Sequence, residues 1–294
     1  MPDETIKTGS AETQLMHSTQ RRLRVLFLFF CVLASFSELA CSERTSQQVS
    51  FEASSGQKIH EIQIAAAADL KFAMDAMIQE FQAERPDIAV KVSYGSSGNF
   101  YSQLSNHAPF DMYFSADLTY PRQLSEQGMA LPGSEFTYAV GHLVIWVPTA
   151  STIDVGTLKM EALRSPSIRH VAIANPKHAP YGRAAEAAMR SHGVYDSIKD
   201  KLVFGENVAQ TFQFVQSGAA DIGIVALSLA LAPEARSQGR YWEVPLDAYP
   251  LIEQGGIILK WTRQPESAQA FRSFVLGAKG QQVSKKFGFF LRKD

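Results

Sequence analysis

The chain has 294 residues, of which 46% are hydrophobic and 19% charged, and its formal net charge is −1. This composition is typical of a globular protein with one large core or two smaller ones. The balanced charge, without a basic stripe, argues against a nucleic-acid-binding protein, because such proteins neutralise phosphates with clustered Lys and Arg.

Residues 1–41 are predicted to be an export signal. Three arginines between positions 21 and 24 precede the apolar run Val25–Ala34. A basic segment followed by a short apolar segment is typical of a secretory signal and is too short to span a membrane comfortably. The polar stretch before it is long for such a signal, so Met16 is an alternative start to Met1.

Two processing routes remain open. Small residues at Ser35 and Ser37 suit ordinary cleavage, whereas Glu38–Cys41 resembles the end of a bacterial lipoprotein signal, with Glu38 where an apolar residue is usual. In the second route Cys41 would carry a lipid anchor. The exported chain then has at most one cysteine, which argues against a disulfide framework or a thiol metal site. Residues 42–60, rich in Ser, Gln and Thr at their start, are predicted to be a flexible lead-in.

From residue 61, short apolar runs alternate with amphipathic helices. The first predicted helix carries a buried stripe at i, i+3, i+4 spacing: Leu70, Ala73, Met74, Met77, Ile78 and Phe81. Further helices are predicted from the serine-rich corner to about Leu104, over Arg183–His192 and Val208–Val215, and from Pro265 onward. The predicted strands are Ile62–Ala67, Ile88–Tyr94, Phe110–Ser115, Leu143–Val147, His170–Ala174, Asp221–Ala226 and Gly256–Trp261. This alternation predicts an α/β fold with mostly parallel sheets covered on both faces.

Four strand-to-helix corners share a composition. The stretch Lys91–Phe100, "KVSYGSSGNF", places two serines and two glycines at such a corner, and Ala66–Leu70, Asn175–Gly182 and Gly205–Ala209 are similar. Open α/β sheets bind ligands at the carboxyl ends of their strands. The first N–H groups of a helix lack an internal partner and carry the positive end of the helix dipole. Ordinary capping explains any one corner, but four together favour an oxyanion site made of neutral donors.

Ordered segments carry a resemblance to a known family. "AAAADLKFAMDAM", "VSYGSSGNFYSQL", "APFDMYFSAD", "SEFTYAVGHLVIW", "AIANPKHAPYG" and "GENVAQTFQFVQSGAADIGIVALS" follow one another. Together they resemble the periplasmic molybdate-binding proteins of bacterial ABC transporters, over about residues 61–291. The resemblance implies the type II periplasmic-binding-protein fold, which has two α/β lobes with mixed, mostly parallel sheets, helices on both faces and a ligand cleft between the lobes.

The same resemblance implies a function and a division of the chain. The expected protein is a periplasmic receptor, not an enzyme, that captures molybdate, and tungstate with it, without a cofactor. It delivers the oxyanion to a permease and its ATPase, and the expected state is a monomer. Lobe 1 is predicted to comprise residues 61–140 and 243–294, and lobe 2 residues 141–242.

The resemblance also places the ligand on Ala68, Asp69, Ser97, Tyr181 and Val208. Ser97 is expected to donate through its hydroxyl, and Tyr181 and Val208 through backbone N–H groups. Relatives have a small hydroxyl or amide residue at the first corner, where this chain has Ala68 and Asp69. An ionised Asp69 facing a dianion would repel it, so its carboxylate is expected to turn away and cap its helix. A position that holds a tyrosine in some relatives is Ala226 here.

Other interpretations stay open from the residues alone. A receptor of the same fold for sulfate or phosphate would share most of these features. A secreted hydrolase using Ser97 lacks the GxSxG elbow and an evident His or Asp partner. A regulator's ligand-sensing domain would not normally carry an export signal. The seven histidines have no metal-ligand spacing, so a bare metal cation is not predicted.

Overall fold

A computed structural model of the chain describes residues 59–290. The predicted export signal 1–41, the alternative start at Met16, the candidate lipid site Cys41 and most of the lead-in lie outside these residues. Between residues 59 and 290, no helix is long and apolar enough to cross a membrane.

In this part of the chain, ten strands form two five-stranded sheets. The strand order is β2-β1-β3-β10-β4 in the first sheet and β7-β6-β8-β5-β9 in the second. The strands are β1 (His60–Ala67), β2 (Ile88–Gly95), β3 (Met112–Ser115), β4 (Phe136–Gly141), β5 (Leu143–Pro148), β6 (Val171–Ala174), β7 (Leu202–Gly205), β8 (Ile222–Ala226), β9 (Gly239–Glu243) and β10 (Ile252–Ile258).

Helices connect the strands and pack against the sheets. They are α1 (Lys71–Glu84), α2 (Ser97–Ser105), α3 (Thr119–Glu126), α4 (Val155–Leu158), α5 (Pro180–Ser191), α6 (Tyr195–Ile198), α7 (Val208–Gln216), α8 (Leu227–Ala230), α9 (Pro233–Arg236), α10 (Pro265–Leu276) and α11 (Ala278–Lys286). Short 3-10 turns lie at Ala68–Leu70, Lys159–Arg164, Lys199–Lys201 and Leu246–Ala248.

Both sheets are mixed, which confirms the α/β class and refines the expectation of mostly parallel pairing. Four strands of each sheet run in one direction, but the fifth, β10 or β5, runs against them and lies between two of them. Half of the strand pairs are therefore antiparallel. The reversed strand is in each case the one with which the chain enters that sheet from the other.

The chain crosses between the sheets twice, after Gly141 and after Glu243. Gly141 still pairs with Ile252 in the first sheet, and Glu243 still pairs with Val144 in the second. We therefore use lobe 1 for the first sheet and its helices (59–141 and 244–290) and lobe 2 for the second (142–243).

The predicted apolar stripe of α1 faces the core. Five of its six residues are buried, whereas Ile78 is only partly covered. The Phe81 ring packs edge-on against Phe271 and Phe274 of α10, with centroid distances of 5.1 and 5.5 Å. Each such aromatic side chain contributes about 1.5–3 kcal/mol through burial, so this contact fixes α1, and the corner before it, against lobe 1.

The strand predictions fail mainly at sheet edges. The three strands that were not predicted, β4, β7 and β9, are all edge strands, which need less apolar surface than central ones. The predicted last strand, Gly256–Trp261, is wrong in its bounds, since β10 begins at Ile252 by pairing with β4 and ends at Ile258. Beyond that point the Trp261 indole N–H donates to the Ala108 carbonyl at 3.2 Å.

Candidate ligand-binding site

The four predicted corners meet at one small cavity. The five residues predicted for the ligand all line it: Ala68, Asp69, Ser97, Tyr181 and Val208. They come from the ends of β1 and β2 in lobe 1 and from the starts of α5 and α7 in lobe 2. A larger groove of about 350 Å³ shares Ala116 and Pro180 with the cavity but contains none of the five. The cavity is therefore the candidate site.

Three of the four corners are the starts of helices at least nine residues long. Extended residues precede them: Ser96 before α2, Ala179 before α5 and Asn207 before α7. Because the first N–H groups of each helix have no acceptor within it, they remain to bind a ligand, and the helix dipole adds positive potential there.

At α5, Pro180 determines which donor comes first. Proline occupies the first helical position and has no N–H, so Tyr181 is the first residue of the helix with a donor. The N–H of Gly182 donates to the Ala179 carbonyl at 3.0 Å. The donor that this corner offers to the cavity is therefore the N–H of Tyr181.

At α7, Asn207 caps the helix without using its first donor. The Asn207 Oδ1 accepts from the Gln210 N–H at 3.0 Å, and its carbonyl accepts from the Thr211 N–H at 3.0 Å. The N–H of Val208 precedes both bonds. Val208 lines the cavity, so its N–H is available to a ligand there.

Ser97 is fully buried and has a free proton to donate. Its Oγ accepts from the Ala116 N–H at 2.9 Å, and its carbonyl accepts from the Tyr113 hydroxyl at 2.7 Å. The cap position belongs to Ser96, and neither serine makes a side-chain capping bond. A hydroxyl that accepts one hydrogen bond still carries its own proton, so Ser97 can donate to an anion in the cavity.

The expected capping role of Asp69 is wrong. Asp69 is the second residue of the 3-10 turn Ala68–Leu70, past the cap position, and its side chain caps neither that turn nor α1. Its Oδ2 instead accepts from the Tyr181 hydroxyl at 2.9 Å and from the Gln254 Nε2 at 2.6 Å. The carboxylate therefore lies between the lobes, on the side of the cavity.

Burial changes the acidity of Asp69. The residue is 1% exposed, and this desolvation raises the pKa of its carboxyl to about 6. The bonds from Gln254 and Tyr181 act in the opposite direction. The backbone N–H groups of Asp69 and Leu70 lie near the carboxylate and also lower its pKa, although they do not form hydrogen bonds of normal geometry with it. The pKa of the Tyr181 hydroxyl lies well above its usual value, because the ring is buried and Asp69 is adjacent.

A buried hydrogen-bond network behind Asp69 was not found from the sequence. The Tyr138 hydroxyl donates to the Gln254 Oε1 at 2.9 Å, and the Ser228 hydroxyl donates to the Asp69 carbonyl at 2.7 Å. A Cβ at Gly141 would lie 2.1 Å from the Tyr181 hydroxyl, so the crossing strand needs glycine there. No local signal pointed to Gln254: it is 0% exposed in the structure, but it stands beside Glu253 and before the predicted start of the strand.

Side chains of both lobes meet over the cavity. The Ser96 hydroxyl donates to the Glu206 Oε1 at 3.1 Å, and the Asn99 Nδ2 donates to the same oxygen at 2.8 Å. The Gly98 N–H donates to the His178 carbonyl at 2.9 Å. A Cβ on Gly98 would lie 2.6 Å from that carbonyl oxygen, so the approach requires glycine. These bonds hold the lobes in a closed arrangement.

An ion pair adds to the contacts between the lobes. The Arg183 guanidinium of α5 lies 2.5 Å from the Asp117 carboxylate, which follows β3 in lobe 1. The same guanidinium lies over the Tyr120 ring and donates to its hydroxyl at 3.3 Å. Arg183 does not line the cavity, so its charge is used between the lobes.

The structure also bears on the position of Ala226 and on the interpretation of Ser97 as a hydrolase nucleophile. Ala226 ends β8 and does not line the cavity. The Ser97 hydroxyl bonds to a backbone N–H, whereas the serine next to an imidazole is Ser96, 2.9 Å from the His178 Nδ1. Since the Ser96 hydroxyl donates to Glu206, it accepts from His178, and the imidazole is not placed as its base.

Comparison with known proteins gives concordant matches. Residues 62–290 match the family model of bacterial extracellular solute-binding proteins. The molybdate-binding protein ModA of Azotobacter vinelandii is 37% identical over 232 residues, which cover 79% of this chain and 90% of that protein. The protein of the same name from Rhodobacter capsulatus is 37% identical over 206 residues, or 70% of this chain and 79% of that protein.

A solved structure is similar over the same region. The Azotobacter vinelandii periplasmic molybdate-binding protein superposes with a TM-score of 0.74 and is 34% identical, covering 79% of this chain and all of that one. The similarity therefore extends to both the sequence and the fold.

Proposed function

This chain belongs to the family of bacterial extracellular solute-binding proteins, and we propose that the solute it captures is molybdate. Proteins of this kind are transport receptors and not enzymes. As a member of an ABC transporter system, the protein delivers its ligand to a permease that is driven by an ATPase.

The proposal depends on one observation above all: three helix starts and a 3-10 turn converge on a single cavity whose lining contains no Lys or Arg. Neutral N–H and O–H donors suit a tetrahedral oxyanion, since they surround its oxygens without binding it through a formal charge. Such a ligand is held strongly but is still releasable to a transporter.

Each predicted site residue has a role in this proposal. The Ser97 hydroxyl donates to one oxygen, and the N–H groups of Tyr181 and Val208 donate from the other lobe. The first corner contributes backbone donors beside Ala68, whereas the Asp69 side chain forms the wall nearest Tyr181. Because the donors come from both lobes, a bound oxyanion favours the closed arrangement.

Tungstate is the second ligand that we propose. It has the same charge and shape as molybdate and nearly the same size, so fixed donors contact both equally well. Sulfate and phosphate are smaller, and a cavity of fixed size leaves some of their hydrogen bonds long. Each long or broken charge-assisted bond costs about 1.5–3 kcal/mol.

Two further features belong to the proposal. The protein acts as a monomer in the periplasm, and a lipid on Cys41 would anchor it to a membrane. Mass spectrometry of the exported protein distinguishes an acylated N-terminal Cys41 from a chain cleaved after Ser37.

Calorimetric titration tests the ligand assignment. We expect tight binding of molybdate and tungstate, with sulfate and phosphate at least about a hundredfold weaker, because two lost bonds of about 1.5 kcal/mol each already exceed that factor. Equal affinity for sulfate and molybdate, or tight binding of phosphate alone, would contradict the proposal.

A further inference from the structure

One carboxylate oxygen of Asp69 makes no hydrogen bond within the protein. Oδ2 accepts from Tyr181 and Gln254, whereas Oδ1 is buried and has no hydrogen-bond partner. Among the residues that line the cavity, this is the one buried side-chain polar atom without a partner. A buried carboxylate oxygen without a donor is costly, so this atom is expected to bind a proton or a ligand.

An ionised Asp69 and a dianion do not fit together in this cavity. No Lys or Arg lines it to offset two adjacent negative groups, and Asp69 is only 1% exposed, so water screens its charge poorly. A protonated carboxyl removes the repulsion and also supplies an O–H donor. The donor would then stand at Oδ1, because Oδ2 is held by its two bonds.

We propose that the protein takes up one proton with each oxyanion that it binds, and that this proton lies on Asp69 Oδ1 and is shared with a ligand oxygen. The inference rests on the proposed oxyanion function and adds to it a dependence on external pH. No bond other than this hydrogen bond is formed, and the proton comes from the solvent.

Asp69 is the group whose charge changes with pH at this site, because the side chains in contact with it stay neutral. Tyr181 and Tyr138 face it from α5 and β4, and burial raises the pKa of both hydroxyls well above the usual value, so both stay neutral. Gln254 of β10 and Ser228 of α8 carry no charge.

The charged residues on neighbouring elements have partners elsewhere. The Lys71 Nζ lies 3.6 Å from Asp75, Arg183 pairs with Asp117, and Glu206 accepts from Ser96 and Asn99. The pKa of the Asp69 carboxyl, raised to about 6 by burial, puts its charge change in a range where the effect is measurable.

The sign follows from linkage. If the bound oxyanion keeps Asp69 protonated while the free protein loses that proton above about pH 6, binding becomes weaker as pH rises. The molybdate dissociation constant should increase by up to about tenfold per pH unit between pH 6.5 and 8. Proton uptake should approach one per molybdate bound.

Titration calorimetry of the ligand-free protein with sodium molybdate tests this directly. The affinity is measured from pH 5.5 to 8, and the heat at pH 7.5 is compared in HEPES and in Tris, whose different ionisation heats give the number of protons taken up. The Asp69→Asn variant is the matched control, because an amide keeps the shape and offers a permanent N–H donor. Its affinity should change by less than about threefold over the same range.

The outcomes are distinguishable. A steep pH dependence with proton uptake in the parent, both absent in Asp69→Asn, supports the inference. Tight molybdate binding in the parent with a flat pH profile and no proton uptake overturns it and leaves the proposed function intact. Equal slopes in parent and variant also overturn it, since the proton then lies elsewhere. If the variant does not fold, the parent's proton uptake decides alone. Absence of molybdate binding at every pH overturns the proposed function and this inference with it.

Discussion

Asp69 and Ser97 each use only part of their hydrogen-bonding capacity within the protein. Ser97 Oγ accepts from Ala116 and keeps its proton, whereas Asp69 binds two donors through Oδ2 and leaves Oδ1 unpaired. Both side chains are buried at the cavity wall. A ligand in the cavity can therefore bond to the Ser97 hydroxyl and to Asp69 Oδ1. The two differ in their dependence on pH, since Ser97 donates at any pH and Asp69 only when it is protonated.

Replacing Ser97 with Ala should weaken molybdate binding. The lost hydrogen bond to a charged ligand costs about 1.5–3 kcal/mol, or roughly 10- to 150-fold in affinity. The ligand-free protein should also lose about 1–3 kcal/mol of stability, because the Ala116 N–H loses its acceptor. Titration calorimetry and urea unfolding measure the two effects.

Ser102→Ala is the matched control for Ser97. The Ser102 hydroxyl donates to the Gly98 carbonyl within α2 and does not line the cavity. Its replacement should leave the affinity within about twofold, since this bond does not involve the ligand. If Ser97→Ala shifts only the unfolding curve and not the affinity, the hydroxyl serves Ala116 alone.

The acidity of Asp69 should also be visible in ligand-free stability. A carboxyl whose pKa is higher in the folded chain than in the unfolded chain stabilises the fold while it is protonated. With values of about 6 and 3.8, this contribution is fully present below pH 3.8 and is lost as pH rises through 6. The loss is on the order of 3 kcal/mol, from 1.36 kcal/mol per pKa unit.

Asp69→Asn removes this titration and provides the reference. The unfolding free energy of the parent minus that of the variant should fall between pH 4.5 and 6.5 and then level off. Chemical denaturation of ligand-free protein at four pH values is sufficient. A difference that stays constant over this range would mean that Asp69 keeps an ordinary pKa in the free protein.

At the scale of secondary-structure elements, contacts with neighbouring residues position the helix starts that line the cavity. At α2, Gly98 lets the backbone approach the His178 carbonyl of lobe 2, and Asn99 on the next residue reaches Glu206 beside α7. At α5, Pro180 removes one donor and leaves that of Tyr181. The same elements that bind the ligand therefore also connect the lobes.

Replacing Asn99 with Ala should weaken molybdate binding without a ligand contact being removed. The change deletes the 2.8 Å bond to Glu206 and leaves every charge in place, so the closed arrangement loses about 0.5–1.5 kcal/mol. Affinity should fall about two- to tenfold. Asn106→Ala, directly after the same helix, is the control, since the Asn106 side chain bonds only to Ser102 within lobe 1. Equal affinities for the two variants would mean that the Asn99 bond is absent in the ligand-bound protein.

At the scale of the whole molecule, two five-stranded sheets contribute their strand ends to one site. In each, the reversed strand is fourth in the strand order, and the corners at the carboxyl ends of β1, β2, β6 and β7 meet between the lobes. The bonds from lobe to lobe and the Arg183–Asp117 pair stabilise this arrangement. Because donors of both lobes are needed, ligand binding and closure are coupled at this scale.

Part of this architecture could be predicted from local patterns. The stripe on α1 and the six strands from β1 to β8 that have apolar runs follow from periodicity, which needs no tertiary information. The strands that were missed lie at sheet edges; partial exposure weakens the apolar signal of β7 and β9, whereas β4 is mostly buried and was missed without that reason. The corners were found because capping and helix-start residues are local features as well.

Local sequence is enough to place the donors along the chain, because immediate neighbours put Ser97, Tyr181 and Val208 in the first turns of their helices. The state of Asp69 depends on the fold. Its partners Tyr181 and Gln254 lie 112 and 185 residues away in the chain, and no local pattern records such a contact. Burial and hydrogen bonding set the acidity of a carboxyl, and both depend on what the fold packs around it. The local pattern therefore predicted that Asp69 caps a helix, whereas tertiary packing buries its carboxyl between the two lobes.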